Sequence, residues 1–291
     1  YNFVSTRWVI QPSFRAQMYA SMGTISPEPR LGIKFNATEK FRLKASGGRF
    51  SQNFTSVSSD KDVVNLFNGF LSAPTNVQET FVTYYQNEKT PKNGLQYAWH
   101  AIGGFELDIT KKISANVEGY YKYFSQLSNI NNKKYYADDD KNPNIDDIYK
   151  KDFILENGES YGVDVLIKYS DSRLFLWGVY SYGHSIRWDG DTTYFPVFDR
   201  RHNLNLVGTY LFGKKKDLEL SIRWNLGSGL PYTPTVGNFE SQNFGAGVTT
   251  DYTTTNANSI TTNLGDLNSE RLPYYHRLDI TVKKRFVFKN E

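Results

Sequence analysis

A strict alternation of apolar and polar residues between Leu218 and Gly227 constrains the fold more than any other feature of the sequence. The even positions hold Leu, Leu, Ile, Trp and Leu, whereas the odd positions hold Glu, Ser, Arg, Asn and Gly. Such a period of two places successive side chains on opposite faces of a β-strand. The alternation recurs, with some blurring in the seventh strand, in the segments 8–19, 30–36, 41–46, 97–109, 115–123, 160–168, 174–186, 201–212 and 277–286. Because no segment shows a convincing helical period, the sequence predicts an all-β chain of about ten strands.

The connections between these segments alternate in length. Short polar turns occupy 36–40, 110–112, 170–173 and 213–217, and long polar connections occupy 53–94, 129–158, 188–196 and 231–271. The connection 22–29 is intermediate. Successive antiparallel strands give this alternation when one end of a barrel has tight turns and the other has large loops, as in outer-membrane barrels.

Strand length and hydropathy favour a membrane barrel. A strand tilted by ~45° needs ~9 to 11 residues to cross the hydrocarbon layer, and the predicted strands are about that long or longer. The mean hydropathy of −0.56 is compatible with this, because only every second residue of a barrel strand faces lipid. No apolar run reaches the ~18 residues of a membrane helix. We therefore predict an antiparallel transmembrane β-barrel in the bacterial outer membrane.

A soluble β-sandwich, whose apolar faces meet in a core, is the alternative. It explains the alternation along the strands but not the alternating loop lengths. In the barrel, the apolar face of 218–226 contacts lipid. The opposite face is predicted to line a wet lumen with Glu219, Ser221, Arg223 and Asn225. Pro231 and Pro234 cannot donate to a ladder, so strand pairing should fail near them.

Composition excludes several other classes of function. The formal net charge of +4 arises from 34 basic and 30 acidic residues spread along the chain, without the clustered basic face that nucleic-acid binding requires. The chain has no cysteine, which excludes disulfides and cysteine metal sites. It has no nucleophile elbow, phosphate-cradling glycine loop or HExxH sequence, so we expect neither an enzyme nor a catalytic residue.

One dense acidic run, from Asp138 to Asp147, is a candidate calcium loop. Carboxylate oxygens at alternate positions can bind Ca²⁺. The candidate ligands are Asp138, Asp140, Asp146 and Asp147. The run lacks the glycine and the terminal glutamate of an EF-hand loop, and a solvated acidic loop without metal is the alternative; we expect no other cofactor.

The remaining candidates are histidines and arginines. Alternation points His100 inward with Glu106, whereas His202 and His276 lie near strand starts at the loop side, and nothing shows them converging with His184. The run Asp199-Arg200-Arg201 could grip an anionic ligand through bidentate arginines. A structural role, in which arginine pairs with lumen carboxylates, is favoured.

Four stretches carry a family resemblance. They are SPEPRLGIKFNATEKFRLKASGGRFSQ at 26–52, FDRRHNLNLVGTYLFGK at 198–214, RWNLGSGLPYTP at 223–234 and RLPYYHRLDITVKKRF at 271–286. In order and spacing they resemble the C-terminal half of the barrel of TonB-dependent outer-membrane receptors, in particular the Bacteroidota type. The resemblance covers nearly all of the chain except the long loops.

This resemblance implies a 22-stranded barrel that is filled by an N-terminal plug and energised through a TonB box. On that basis we expect residues 1–291 to be a partial barrel of about ten strands, with the plug and the final strands outside this chain. A self-contained ten-stranded barrel is the alternative.

The resemblance also implies the function. We expect a receptor that imports a scarce solute through plug gating, with outer-membrane lipid and a TonB-type energising protein as partners and no nucleic acid. A surface lipoprotein or another outer-membrane subunit is a further possible partner. The alternative function is a barrel subunit of a larger outer-membrane assembly or secretion complex, which would use its long loops for docking. A passive porin is a third possibility.

Overall fold

Ten long strands dominate the computed structural model, which describes residues 2–56, 70–72, 74–242 and 257–286. They are β1 (Trp8–Tyr19), β2 (Thr24–Asn36), β3 (Phe41–Gln52), β4 (Gln96–Asp108), β5 (Ile113–Ile130), β6 (Phe153–Ser170), β7 (Leu174–Trp188), β8 (His202–Phe212), β9 (Leu218–Gly227) and β10 (Tyr275–Lys284). In these described ranges the helices are one 3₁₀ turn, Ala20–Met22, and one α-helical turn, α1 (Asp147–Lys150). No helix in the described residues is long and apolar enough to cross a membrane.

The ten strands form one antiparallel sheet in which each strand pairs with its neighbour along the chain. A short strand, Phe3–Val4, pairs with the outer edge of β1, and β10 pairs only with β9 among the described residues. The described residues therefore form an open wall rather than a closed ten-stranded barrel. Smaller two-stranded hairpins lie in the connections, including Phe54–Ser56 with Phe70–Ser72, Phe81–Val82 with Glu88–Lys89, Pro231–Tyr232 with Glu270–Arg271, and Thr235–Gln242 with Ala257–Leu264. The predicted all-β antiparallel fold with about ten strands is confirmed.

Apart from the tight β1–β2 turn, the short and long connections alternate as predicted, and they define two ends of the sheet. The turn end carries the connections β2–β3, β4–β5, β6–β7 and β8–β9, and the loop end carries all the others. The expected intermediate connection at 22–29 is wrong: the chain turns tightly through Gly23, whose φ is 58°, and β2 begins at Thr24. Pro27 and Pro29 are tolerated in β2 because the β2–β3 ladder begins only at Arg30, so no ladder bond to β3 is lost.

The register places most large apolar residues of the strands on one face, although β7 also carries Phe175, Trp177 and Val179 on the opposite, polar face. One row across the sheet runs through Phe35, Leu43, Phe105, Val117, Val165, Tyr180, Leu204 and Leu226. Many large side chains of this face are exposed; Phe14 is 69% and Ile280 is 63% accessible. No second sheet covers this face within the described ranges, so the sandwich alternative is wrong there. An exposed apolar surface this continuous is expected of a membrane face.

The buried apolar side chains lie mainly at the loop end. β5 and β6 are 18 residues long, and their loop-end extensions pack against the connection 74–95. The core there contains Phe81, Leu95, Leu127, Ile154, Leu155 and Tyr194. Val77 forms a bridge with Phe153, and the backbone N–H of Tyr84 donates to Asn157. The loops are therefore packed onto the extended β5–β6 hairpin.

Strand β9 ends at Gly227, before Pro231 and Pro234, as predicted. The chain resumes pairing at Pro231–Tyr232, which forms a short antiparallel ladder with Glu270–Arg271 outside the main sheet. Position 229 accepts only glycine, because a Cβ there would lie 1.5 Å from the carbonyl oxygen of Leu272 and would clash with it.

Candidate functional site

The polar face of the sheet carries a charge network near the turn end. Glu106 of β4 accepts hydrogen bonds from Lys34 at 3.2 Å and from Arg42 at 2.9 Å, and it lies 3.0 Å from Lys44. Residues on facing positions of neighbouring strands lie close enough to interact directly. The alternation of these strands therefore brings one carboxylate into contact with three cations.

The same network extends to the neighbouring carboxylates. Arg42 also contacts Asp108 at 2.8 Å, and Lys44 donates to Glu118 at 2.6 Å. Asn116 donates to Glu118 at 3.1 Å. Three basic and three acidic groups thus balance one another across β2, β3, β4 and β5. This arrangement suits a solvated wall that holds polar protein or water, rather than a site that attracts a charged ligand.

The residues predicted to line the lumen share this polar face. Arg223 of β9 faces Asp279 of β10, Asn225 faces Asn205 and Arg277, and Ser221 hydrogen-bonds Thr209 at 3.0 Å. Glu219 has the same parity on β9. The predicted division of β9 into an apolar face and a polar face is confirmed.

A second polar cluster lies on this face nearer the loop end. The buried carboxylate of Glu28 accepts hydrogen bonds from Arg30 at 2.6 Å and from the hydroxyl and N–H of Ser51 at 2.7 and 3.0 Å. Arg30 also lies over the ring of Phe50, which stacks on His100 at 4.4 Å. His100 therefore points to the polar face, as the alternation predicts, but its neighbours make it part of a packed aromatic and cationic layer.

At the loop end, Asp199 connects three segments of the chain. This carboxylate is buried, and it accepts a hydrogen bond from the backbone N–H of Ser185 at 2.7 Å. Its other oxygen lies 3.2 Å from Arg201 Nε and accepts a very short hydrogen bond from Arg271. Arg271 also donates to the backbone oxygen of Asp199 at 2.8 Å. The structure thus pairs arginine with a carboxylate, as the favoured structural alternative predicts.

The ring of Phe195 completes this cluster. Arg201 lies 4.8 Å and Arg271 lies 5.5 Å from the ring centre, within the range of cation–π attraction. Asn268 donates to the backbone oxygen of Phe195 at 2.7 Å. We call Asp199, Arg201, Arg271 and Phe195 the loop clamp. It joins the connection 189–201 to the connection 228–274 at the end of the polar face.

Glu156 is a second buried carboxylate at the loop end, and the sequence analysis missed it. Its side chain is fully buried, and it accepts a hydrogen bond from the hydroxyl of Tyr194 at 2.7 Å. Asn129 donates to it at 3.4 Å, and Arg187 lies 3.9 Å away. A single glutamate inside the otherwise apolar run FILE could have drawn attention to this site, because a buried carboxylate needs partners.

The acidic run adopts an ion-paired loop. Asp138 accepts from Lys151 at 3.0 Å, and Asp147 accepts the backbone N–H of Glu79 at 2.8 Å and lies 3.7 Å from Lys150. The hydrogen bond with Asp138 raises the pKa of Lys151, although burial opposes the shift. The other two candidate ligands, Asp140 and Asp146, are exposed.

Within the described ranges, no three histidine or acidic side chains are grouped so that they could hold a metal ion. The calcium loop stays a prediction. The histidines are separate: His184 stacks on Tyr161 at 4.8 Å, and His202 hydrogen-bonds the hydroxyl of Tyr180 at 2.8 Å. His202 and His276 lie at the loop-end starts of β8 and β10, as expected.

The fold resembles that of one solved transporter. The FrpB iron transporter from Neisseria meningitidis matches 98% of this chain with a TM-score of 0.54 and 10% sequence identity. This chain spans 37% of the length of that transporter. The match to the P. putida toluene transporter TodX covers 76% of this chain and 60% of the TodX chain, with 10% sequence identity. Its TM-score of 0.32 is too low to support an argument. No family model matches the chain, and no curated protein matches its sequence.

The strand order, the two faces and the superposition on FrpB define the class of fold. It is an antiparallel β-barrel type of fold similar to that of FrpB, of which the described residues form ten strands of wall.

Proposed function

We propose that this chain forms part of the barrel of a TonB-dependent outer-membrane receptor that imports a scarce solute. The loop clamp is the observation that carries the proposal, because it fixes two long connections at the loop end of the polar face. Loops held in this way can capture a solute where it enters the lumen. The family resemblance of the four sequence stretches supplies the TonB dependence and the plug.

The two faces of the sheet support transport across a membrane. The exposed apolar face suits lipid, and the charge-balanced polar face suits the surface of a plug domain inside a barrel. The likeness to an iron transporter makes a metal chelate the first solute to test. The chain's localisation would be the bacterial outer membrane, with the turn end in the periplasm and the loop end outside the cell.

Uptake measured with and without TonB tests this proposal. We expect accumulation of a radiolabelled iron chelate to depend on both the receptor and TonB. An Arg271→Gln receptor should bind or import less, whereas the exposed Arg173→Gln at the turn end serves as a matched control. If loss of TonB left receptor-dependent uptake unchanged, the proposed energised import would be wrong.

One observation favours the alternative of a barrel subunit in a larger assembly. The hairpin Thr235–Gln242 with Ala257–Leu264 lies outside the main sheet and exposes Phe239 at 53% and Ile260 at 77%. An isolated two-stranded hairpin is only marginally stable in water, so a covering partner would stabilise it. Co-purification of another envelope protein in fixed stoichiometry, lost in the Phe239→Ser variant, would support this alternative; purification as a single component would count against it.

A further inference from the structure

Strand β7 departs from the alternation of the other strands, because both of its faces carry large apolar side chains. One set continues the apolar face of the sheet. The other set, Phe175, Trp177 and Val179, lies on the polar face, where Trp177 pairs with Val207 of β8. We call Phe175, Trp177, Val179 and Val207 the inner patch. All four side chains are half-buried, so part of their apolar surface stays open on a face that is otherwise polar.

A basic cleft of about 460 Å³ lies at the turn end of the same face, between the β2–β3 turn, the β4–β5 turn and the end of β6. The register fixes the side of the sheet on which it opens. Ser114 of its lining faces both Asp108 and Lys168 across β5, and all three belong to the polar face. The lysines of the lining are Lys40, Lys111, Lys112 and Lys168, and its hydroxyl groups come from Thr110, Ser114 and Ser170.

This cleft keeps positive charge that the protein does not balance. Of its four lysines, Lys112 pairs with Asp171 at 3.0 Å. The other three form no ion pair with a described residue. The acidic lining consists of Glu39 and Asp108, and Asp108 is already paired with Arg42 at 2.8 Å. Three lysines are therefore set against the single carboxylate of Glu39.

The basic cleft and the inner patch adjoin each other on the polar face. Lys168 and Ser170, at the β6 side of the cleft, pair directly with Trp177 and Phe175 of β7. Directly opposed side chains have Cβ atoms about 5 Å apart. The ammonium nitrogen of Lys168 lies 5.8 Å from the centre of the Phe175 ring. One small molecule can therefore place an anionic group among the lysines and an apolar ring on the patch.

We propose that the basic cleft and the inner patch together bind an organic acid that carries an aromatic ring. Ammonium and hydroxyl groups both donate hydrogen bonds to a carboxylate, and Lys168 and Ser170 supply them beside the patch. Aromatic rings attract one another in offset and edge-to-face arrangements, and Phe175 and Trp177 offer that contact. The cleft has the size of a small-molecule site, for which about 300 to 1,000 Å³ is usual. The inference goes beyond the proposed import, because binding needs only the described wall.

Isothermal titration calorimetry of the intact protein in lipid nanodiscs tests the inference, with empty nanodiscs as the blank. The probe is 2-naphthoate. It is compared with 2-naphthamide, which keeps the rings without the charge, and with acetate, which keeps the charge without the rings. We expect saturable binding of 2-naphthoate and at least about tenfold weaker binding of the other two compounds.

Two variants separate the parts of the site. Lys168→Gln should bind 2-naphthoate about tenfold more weakly, because it loses a charged donor. Phe175→Leu keeps an apolar side chain but loses the ring, and it should bind about threefold more weakly. The control Lys283→Gln removes an exposed lysine from the polar face at the turn end of β10, away from the cleft, and should bind as the unmodified protein does.

Three outcomes would overturn the inference. They are binding of acetate as tight as that of 2-naphthoate, binding of 2-naphthamide as tight as that of 2-naphthoate, and unchanged binding by Lys168→Gln. If Phe175→Leu does not fold, the comparison of 2-naphthoate with acetate alone decides whether the ring contributes.

Discussion

Arg271 and Asp199, 72 residues apart in the chain, bind each other twice: Arg271 donates to the carboxylate of Asp199 and, at 2.8 Å, to its backbone oxygen. The Asp199 side chain is buried, so the pair lies in a region of reduced screening. This contact fixes the connection 228–274 against the connection 189–201 over the end of the polar face.

Replacing Arg271 with Gln should release these loops while leaving the sheet intact. A hydrogen bond to a buried charged group contributes about 2 to 3 kcal/mol, and Arg201 can compensate only in part. We expect faster cleavage within 189–201 and 228–242 in limited proteolysis of the folded protein. Arg173→Gln, at the exposed β6–β7 turn, should not change the cleavage pattern. Equal protection in both variants would show that the loop clamp does not hold the loops.

The hydroxyl of Tyr194 should stabilise the extension of β5 and β6. It donates to the fully buried Glu156 at 2.7 Å, so Tyr194→Phe leaves a buried carboxylate with one partner fewer. The loss should cost about 1.5 to 3 kcal/mol of local stability. Hydrogen exchange at residues 127–130 and 154–157 should accelerate about tenfold or more. Tyr135→Phe, at a position 76% exposed, is the matched control and should leave exchange unchanged.

Acid should loosen the contact between the connections 74–95 and 131–152. Hydrogen bonds from Lys134 at 2.5 Å and Asn76 at 2.8 Å hold the pKa of Asp152 below its ordinary value of 3.8. A carboxylate with a lowered pKa in the folded state contributes stability above pH 3.8, and this stability is lost as the pH falls through the folded pKa. The site is partly exposed, so the effect should be at most about 1 kcal/mol.

Hydrogen exchange of residues 76–78 and 152–153 between pH 6 and pH 3, corrected for intrinsic rates, measures this effect. Protection should fall at the acid end in the unmodified protein and should be already reduced at pH 6 in Asp152→Asn. If Asp152→Asn stayed as sensitive to acid as the unmodified protein, another titrating group would be responsible for the loss of protection.

Sequence periodicity predicts most of the sheet because a strand with one apolar face is recognised from the alternation of a few consecutive residues. It predicts β9 to within a residue of its ends, including the break before Pro231. It fails at 24–29. The two prolines there indicate a loop, but this part of β2 is a strand that pairs with β1 alone. The start of β6 at Phe153 is also missed. Its loop-end extension is buried, so it lacks the alternation of apolar and polar residues that marks a strand between lipid and water.

The candidate site was less predictable than the sheet. The arginines of 199–201 were found by their local density, but Arg271 and Phe195 join them only through the path of two long loops. Contacts of this kind are fixed by tertiary structure, and local patterns carry no information about them.

Calcium titration of the intact protein decides the role of the acidic run. Asp138 and Asp147 already have protein partners, so a calcium ion would have to displace Lys151 and the N–H of Glu79. We therefore expect no saturable heat with Ca²⁺ up to the millimolar range by isothermal titration calorimetry. Saturable heat that disappears in the double variant Asp138→Asn/Asp140→Asn would establish the calcium loop instead.

The claim that one face of this sheet contacts lipid can be tested most directly by single-cysteine labelling, since the chain contains no cysteine of its own. Cysteines are placed in turn at 220, 221, 222, 223, 224 and 225 of β9, and whole outer membranes are treated with a water-soluble maleimide. Positions 221, 223 and 225 should react, and positions 220, 222 and 224 should be protected. A fluorophore attached at each position should show the opposite pattern, with quenching by a lipid-soluble probe only at 220, 222 and 224. Uniform reaction along β9, or reaction at the even positions, would contradict the membrane barrel.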